Sequence, residues 1–100
     1  MRFSIPKVYL RQNLPEVLRK CGYFSSSQRI TSQLSYIKRL SKSQNYPRFH
    51  LYIKETNQNY QFNLHLDQKR VSYQEQKAHS GEYDEPVVRE EAKRIKSLII

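Results

Sequence analysis

A chain of 100 residues with a net charge of +9 is long enough for one domain with a modest core. Its lone Cys21 excludes an internal disulfide, and with it a disulfide-rich secreted scaffold. No apolar run approaches the ~20 residues of a membrane-spanning helix, and the first ten residues, interrupted by Pro6 and Lys7, lack a signal-peptide core. We therefore expect one basic domain over residues 1–100, soluble, cytoplasmic and without a membrane partner.

The positive charge is concentrated in the first half of the chain. Residues 1–54 carry eleven Lys or Arg and one acid, Glu16, whereas residues 55–100 carry seven bases and eight acids. A field of this kind attracts phosphate backbones and other polyanions. Because no basic block is longer than two residues, the charge is typical of a folded surface rather than a disordered tail.

The first predicted elements are a short strand and a short helix. Apolar spacing from Ile5 to Leu10 predicts a strand, and Pro6 indicates an edge position or an irregular start. Asn13 opens a capping-box pattern, Asn-x-x-Glu, which predicts a helix that ends at Gly22. Cys21 falls on the inner face of this helix, so we interpret it as a small buried apolar residue rather than a nucleophile.

Residues 25–40 fit two structures. Ile30, Leu34 and Ile37 recur at helical spacing, but residues from Ser32 to Leu40 also alternate as in a strand. The many Ser and Thr residues are poor helix formers, and a hairpin of only two strands is marginal. We favour a strand over Ser32–Leu40, with a helix over residues 28–40 as the alternative.

The clearest pattern is a β-hairpin between residues 46 and 67. Residues 48–54 and 60–67 each alternate apolar with polar side chains, which is the period of a half-buried strand. Only registers that place both apolar sets on one face are admissible, since a slip of one residue turns every side chain over. A two-residue turn at Asn57-Gln58 meets this condition and pairs Ile53 with Phe62, Leu51 with Leu64 and Phe49 with Leu66.

The same register defines the polar side of the hairpin. A two-residue turn pairs His50 with His65 and Arg48 with Asp67, whereas a four-residue turn would set Arg48 beside His65. In either case two histidines, an arginine and a carboxylate share one patch. The outward face of any antiparallel sheet is polar, so this patch is also what a sheet without a function would show.

A second helix is predicted at the end of the sequence. Asp84 caps it, and the spacing of Val88, Ala92, Ile95 and Ile99 gives it one apolar face. An i,i+4 ion pair is expected between Glu90 and Arg94. The predicted fold class is α+β: a small antiparallel sheet of about three strands in a meander, packed by the C-terminal helix and a short N-terminal helix.

Two kinds of chemistry are open to the histidine patch. His50 and His65 could act as general acid and base in the hydrolysis of a phosphodiester. With the loop of residues 78–84 they also include the ligand types that a divalent metal prefers, Zn²⁺ above all. The candidate ligands are His50, His65, Asp67, His79 and Glu82. The first of these interpretations requires no cofactor.

Bases and tyrosines around the predicted sheet are the candidate contacts to a nucleic acid. Lysine and arginine contact phosphates, and aromatic rings stack on bases. The residues predicted for this role are Lys38, Arg39, Lys42, Arg48, Tyr52, Lys54, Lys69 and Arg70.

The order of a short helix, three strands and a C-terminal helix resembles the architecture of the double-stranded RNA-binding domain. Pro47-Arg48-Phe49 at the start of a strand and residues 91–95 in the last helix follow the spacing of that family. The segments Tyr46 to Tyr52, Asn63 to Asp67 and Ala78 to Asp84 also resemble those of a family of small uncharacterised bacterial proteins. The first resemblance is one of architecture, and the second implies no activity.

We predict a small basic protein that binds nucleic acid, RNA or the ribosome in particular. A phosphodiester hydrolase or metal-binding protein that uses the histidine patch is the first alternative. A module that binds acidic proteins is the second, since the same charge suits both kinds of partner. No glycine-rich phosphate loop, paired CxxC motif or internal repeat is present, which argues against nucleotide-dependent enzymes and zinc fingers.

Overall fold

Five antiparallel strands form one sheet in this computed structural model, which describes residues 1–25, 34–68 and 86–100. Two helices and a short 3-10 turn, Lys7–Tyr9, complete the described elements. The strands are β1 (Arg2–Pro6), β2 (Phe24–Ser25), β3 (Leu34–Arg39), β4 (Arg48–Glu55) and β5 (Asn59–Asp67), and the helices are α1 (Leu14–Lys20) and α2 (Pro86–Ile99). The order across the sheet is β1-β5-β4-β3-β2.

The predicted α+β class is confirmed, but the sheet is larger than the three strands expected. The added strands, β1 and β2, are its two edges. The predicted strand at Ile5 to Leu10 is wrong in extent: β1 begins at Arg2 and ends at Pro6, after which the Leu10 N–H donates to the Lys7 carbonyl in a turn. Pro6 has no N–H with which to extend a ladder. β2 is two residues long, too short to show an alternating pattern.

The hairpin register agrees with the prediction from a two-residue turn. Ile53 faces Phe62, and His50 faces His65. The turn is closed by the Thr56 N–H, which donates to the Asn59 carbonyl over 2.8 Å. β3 continues the meander from Leu34 to Arg39, so the strand interpretation of this segment is confirmed over those residues and the helix alternative is wrong there.

The ends of α1 match the predicted caps. Asn13 Oδ1 accepts a hydrogen bond from the Glu16 N–H at 3.0 Å. Gly22 has φ +97°, a left-handed conformation that glycine adopts without strain. A Cβ at Gly22 would lie 3.1 Å from Lys38 Cε, so the glycine also leaves room for that side chain. Cys21 is buried, and burial raises the pKa of its thiol, in line with a packing role.

The core lies between the helices and one face of the sheet. Helices and sheet both contribute fully buried side chains to it, which include Ile5, Leu18, Leu51, Leu64, Ala92 and Ile95. Val88, Ala92 and Ile95 form the buried face of α2 as predicted, with Ile99 partly buried beside them. The predicted cap at Asp84 lies outside the described residues.

A buried carboxylate joins α2 to the end of α1. Glu91 accepts hydrogen bonds from the Tyr23 hydroxyl at 2.6 Å and from Arg94 at 2.8 and 2.9 Å. Arg94 also donates to the Cys21 carbonyl at 2.6 Å. The predicted pair between Glu90 and Arg94 is therefore wrong: the buried Glu91 takes the arginine, because a carboxylate out of water requires a partner.

The ionisation of Glu91 follows from these contacts. Burial alone would raise the pKa of the Glu91 carboxyl, but hydrogen bonds from Arg94 and Tyr23 and the charge of Lys38 outweigh it, so the pKa lies below its usual value. Burial and the Glu91 carboxylate raise the pKa of Tyr23, which keeps its proton as a donor. The carboxylate is therefore charged and paired at neutral pH.

No helix in the described ranges has both the length and the apolar character needed to cross a membrane.

Candidate nucleic-acid interface

The second face of the sheet carries the polar and charged residues, and neither α1 nor α2 packs on it. We call this surface the polar face. Its polar and charged members, taken from β1, β3, β4 and β5 by their pairing, include Arg2, Ser4, Ser35, Arg39, Arg48, His50, Tyr52, Lys54, Gln61, Asn63, His65 and Asp67. The edge next to β2 is more apolar, with Phe24 61% exposed opposite Ile37.

Three hydrogen-bonded side chains cross the polar face from β3 to β5. His50 Nε2 lies 2.6 Å from the Ser35 hydroxyl, and His50 Nδ1 lies 3.2 Å from Asp67 Oδ2. Ser35 and His50 are buried, whereas 31% of the Asp67 side chain is exposed. The imidazole thus joins the strands on either side of its own.

The carboxylate determines the direction of one of the two hydrogen bonds. An ionised carboxylate only accepts, so Nδ1–H of His50 donates to Asp67, and Nε2 is the ring nitrogen within hydrogen-bond distance of the Ser35 hydroxyl. Burial raises the pKa of Asp67, but the hydrogen bond and charge of His50, together with Arg48, outweigh this and hold the pKa below its usual value. Both ring nitrogens of His50 are engaged, so a substrate could exchange a proton with this ring only through Ser35.

Arg48 borders this chain at the end of the face near the β3–β4 connection. Its Nε lies 3.5 Å from Asp67 Oδ2 without the geometry of a hydrogen bond, so the contact is an ion pair. Its guanidinium lies 4.5 Å from the centre of the Tyr46 ring, a cation–π contact. Arg39 faces Arg48 across β3 and β4, and its side chain is exposed. Two arginines therefore occupy paired positions at this end of the face.

Tyr52 is packed among the histidines at the centre of the face. Its ring stacks on His50 with centroids 4.3 Å apart and meets His65 edge-on at 5.5 Å. Burial and the Asp67 carboxylate raise the pKa of Tyr52, so the phenol stays protonated and can donate a hydrogen bond. The two predicted catalytic histidines are thus held against the same aromatic ring.

A groove of about 490 Å³ opens on the polar face beside Tyr52. It spans β1, β5 and β4, and two rungs of facing residues line it. One rung is Arg2, Asn63 and Tyr52, and the next is Ser4, Gln61 and Lys54. Phe3 and Phe62 complete the lining, and Arg2 and Lys54 lie at opposite corners of the two rungs.

The predicted nucleic-acid contacts do not all share this surface. Lys38 lies on the core side of the sheet, with Nζ 5.8 Å from the centre of the Phe49 ring. Lys42 is in the β3–β4 connection and borders a second concavity together with Arg39. Lys54 is exposed on the polar face, as is Arg39. Lys69 and Arg70 lie outside the described residues.

The predicted metal ligands come together only in part. His50 faces His65 and bonds to Asp67, but within residues 1–25, 34–68 and 86–100 no three metal-ligating side chains gather closely enough to hold an ion. His79 and Glu82 lie outside those ranges.

Sequence reasoning missed two members of the site, Ser35 and Arg2. Ser35 lies in the segment whose structure was ambiguous, and its position beside His50 depends on the pairing of β3 with β4. Arg2 lay outside the strand predicted from Ile5 onwards. An alternation starting at residue 2, with Phe3 and Ile5 on one side, was the available signal for Arg2.

The comparisons leave the function to be inferred from these groups, because no family model, curated protein or solved structure matches the chain.

Proposed function

We propose that this chain is a small basic RNA-binding protein, with ribosomal RNA among its possible targets, and that the polar face makes the contact. The proposal rests on one observation: exposed Lys and Arg side chains share with aromatic rings the one sheet face that α1 and α2 leave uncovered. Lys and Arg side chains contact phosphates whatever the RNA sequence, and aromatic side chains stack on any nucleobase.

The separation of charges on the chain supports the same proposal. Arg2, Arg39, Arg48 and Lys54 lie on the polar face, where Asp67 is the only acidic member in the described residues and is already paired with Arg48 and His50. The acids of α2 are engaged elsewhere: Glu91 with Arg94, and Glu90 with Lys93. The face is therefore net positive.

The first prediction is that a double substitution on the polar face weakens RNA binding and its salt dependence. Arg39→Gln/Lys54→Gln removes two exposed positive charges without touching the core. The slope of log K against log salt for a mixed-sequence labelled RNA should become shallower by about 1 to 2, since two phosphate contacts are lost. Fluorescence anisotropy titrations at several salt concentrations measure this slope.

Arg11→Gln/Lys20→Gln is the matched control, because it removes the same charge from exposed positions beside α1 and the end of α2. Its salt slope should equal that of the parent protein. An equal loss in both variants would mean that net charge alone, and not the polar face, governs binding. Absence of RNA binding by the parent protein would refute the proposal.

A second candidate function, phosphodiester hydrolysis, is favoured by the Ser35–His50–Asp67 chain. The Ser35 hydroxyl is hydrogen-bonded to Nε2 of His50, and the Asp67 carboxylate is hydrogen-bonded to Nδ1. This is the arrangement that activates a serine nucleophile. Ser35 Oγ would form a bond to phosphorus as the bond to the leaving alkoxide breaks. Its proton would pass to His50 and then to the leaving oxygen, and water would later hydrolyse the phosphoserine ester.

This candidate predicts release of nitrophenolate from bis(4-nitrophenyl) phosphate, and loss of that activity in both Ser35→Ala and His50→Gln. His65→Gln should retain the activity, because both ring nitrogens of His50 already bond to Ser35 and Asp67, so this proton transfer needs no second histidine. Absorbance at the nitrophenolate band follows the reaction. Activity that survives Ser35→Ala would eliminate the serine as nucleophile.

A further inference from the structure

The groove beside Tyr52 combines three kinds of group that a nucleotide requires. Arg2 and Lys54 supply positive charge at opposite corners, Asn63 and Gln61 supply amides between them, and Tyr52 supplies a ring. Neighbouring strands lie about 5 Å apart, so Arg2 and Tyr52, two strands away from each other, have backbones about 10 Å apart. The volume of about 490 Å³ is within the range of sites for small molecules.

Tyr52 contacts His50 and His65 and also forms part of the lining of the groove. His50, Tyr52 and Lys54 project in that order from β4 onto the polar face. His50 stacks against the ring from one side, whereas the groove is lined by Tyr52 and Lys54 and does not include His50. The hydrogen bonds of His50 to Ser35 and Asp67 hold the imidazole, which in turn supports the tyrosine. The ring is thus pre-oriented rather than free to rotate.

We propose that this groove binds one unpaired nucleotide of an RNA strand, which makes single-stranded RNA the preferred ligand. The base stacks on the groove side of Tyr52, the amides of Asn63 and Gln61 hydrogen-bond its edge, and Arg2 and Lys54 contact the flanking phosphates. This inference rests on the proposed RNA binding and specifies the form of RNA.

A duplex cannot use the groove in this way. In an A-form helix the bases are stacked on one another and their faces are covered, so only an unpaired base can be placed against a side chain ring. The Watson–Crick edge of a paired base is also occupied, so the amides of Asn63 and Gln61 can bond that edge only in an unpaired base. The Lys and Arg side chains of the polar face could still contact the phosphates of a duplex, but Tyr52 would not contribute to that binding.

The test compares one labelled strand of mixed sequence, alone and annealed to its complement, by anisotropy titration. Tyr52→Leu should weaken binding of the single strand about tenfold, in line with the loss of one stacked base, and should leave duplex binding unchanged. Tyr52→Phe keeps the ring and should bind the single strand within about twofold of the parent protein. Thermal unfolding followed by circular dichroism verifies that each variant is folded.

Arg2→Gln is a second variant, whose exposed position on β1 makes it independent of the His50 stack. It should reduce the salt slope for the single strand by about 0.7, the value for one phosphate contact. Equal affinity for both forms of RNA, with Tyr52→Leu unchanged, would overturn the groove inference and leave the proposed RNA binding intact. Failure of the parent protein to bind either form would overturn both.

Discussion

Replacing Arg94 with Met is expected to lower the free energy of unfolding by about 2–3 kcal/mol at neutral pH. The substitution leaves the carboxylate of Glu91, which is 6% exposed, with the Tyr23 hydroxyl as its described hydrogen-bond donor and the charge of Lys38 as a weaker attraction. A buried charge that has lost its counterion costs about 3–5 kcal/mol. We take a smaller value because 38% of the Arg94 side chain is exposed, so water screens part of the interaction.

The loss should depend on pH in a defined direction. In the parent protein the pKa of Glu91 lies below its usual value, so its contribution to stability is present above the usual pKa and is lost as pH falls through the folded-state value. Without Arg94, burial dominates and raises the folded-state pKa, so acid relieves the penalty. The difference between the two proteins, measured by urea unfolding, should therefore shrink between about pH 7 and about pH 4.

Lys93→Met provides the matched control on the same helix. Lys93 pairs with Glu90 at the same i,i+3 spacing, but both side chains are about three-quarters exposed. The change in its unfolding free energy should stay within about 0.5 kcal/mol at either pH. If Arg94→Met and Lys93→Met behaved alike, Glu91 would not depend on Arg94 in the folded protein.

The second large effect is expected from His50. His50→Leu should cost about 2 kcal/mol, because it leaves the Ser35 hydroxyl buried without its ring partner and removes the stack beneath Tyr52. Adding Ser35→Ala to His50→Leu should restore part of the lost stability. Both positions are then apolar, so no buried hydroxyl lacks a hydrogen-bond partner. The double-mutant cycle should give a coupling of about 1 kcal/mol between the two positions.

Gln61→Leu is the control. It tests whether replacing any polar residue of this face lowers the free energy of unfolding as His50→Leu does. Gln61 is exposed on β5, and its substitution should change the unfolding free energy by less than about 0.5 kcal/mol. Additive losses in the cycle would show that the 2.6 Å contact between Ser35 and His50 does not contribute to stability. Chemical denaturation of the four cycle proteins and this control is sufficient.

Local patterns were enough to predict the hairpin, the caps of α1 and the buried face of α2. Alternation and a two-residue turn leave one admissible register, and that register brings His50 to His65 and Arg48 to Asp67. The cap at Asn13 and the stop at Gly22 are likewise properties of a few neighbouring residues. Such features require no knowledge of the rest of the chain.

Features that depend on distant pairing were not predictable. β3 and β4 are joined by residues 40–47, a connection too long to determine register by turn geometry, so the meeting of Ser35 with His50 was not visible in advance. Because the register of β3 was not known, the sequence did not show that Lys38 lies on the core side and Arg39 on the polar face. The choice of Glu91 over Glu90 as partner of Arg94 follows from burial, which spacing alone does not reveal.

The pairing of β1 with β5 has a consequence for the order in which the sheet assembles. Arg2 pairs with Asn63, about 60 residues later in the chain, whereas β4 and β5 are joined by a tight turn. Closing a long loop costs more entropy than closing a hairpin, and hairpins form in about 1–10 μs. We therefore expect the β4–β5 hairpin to form first and β1, which precedes its partner β5 by about 60 residues, to pair later. The groove that β1 completes is then among the last parts of the molecule to form.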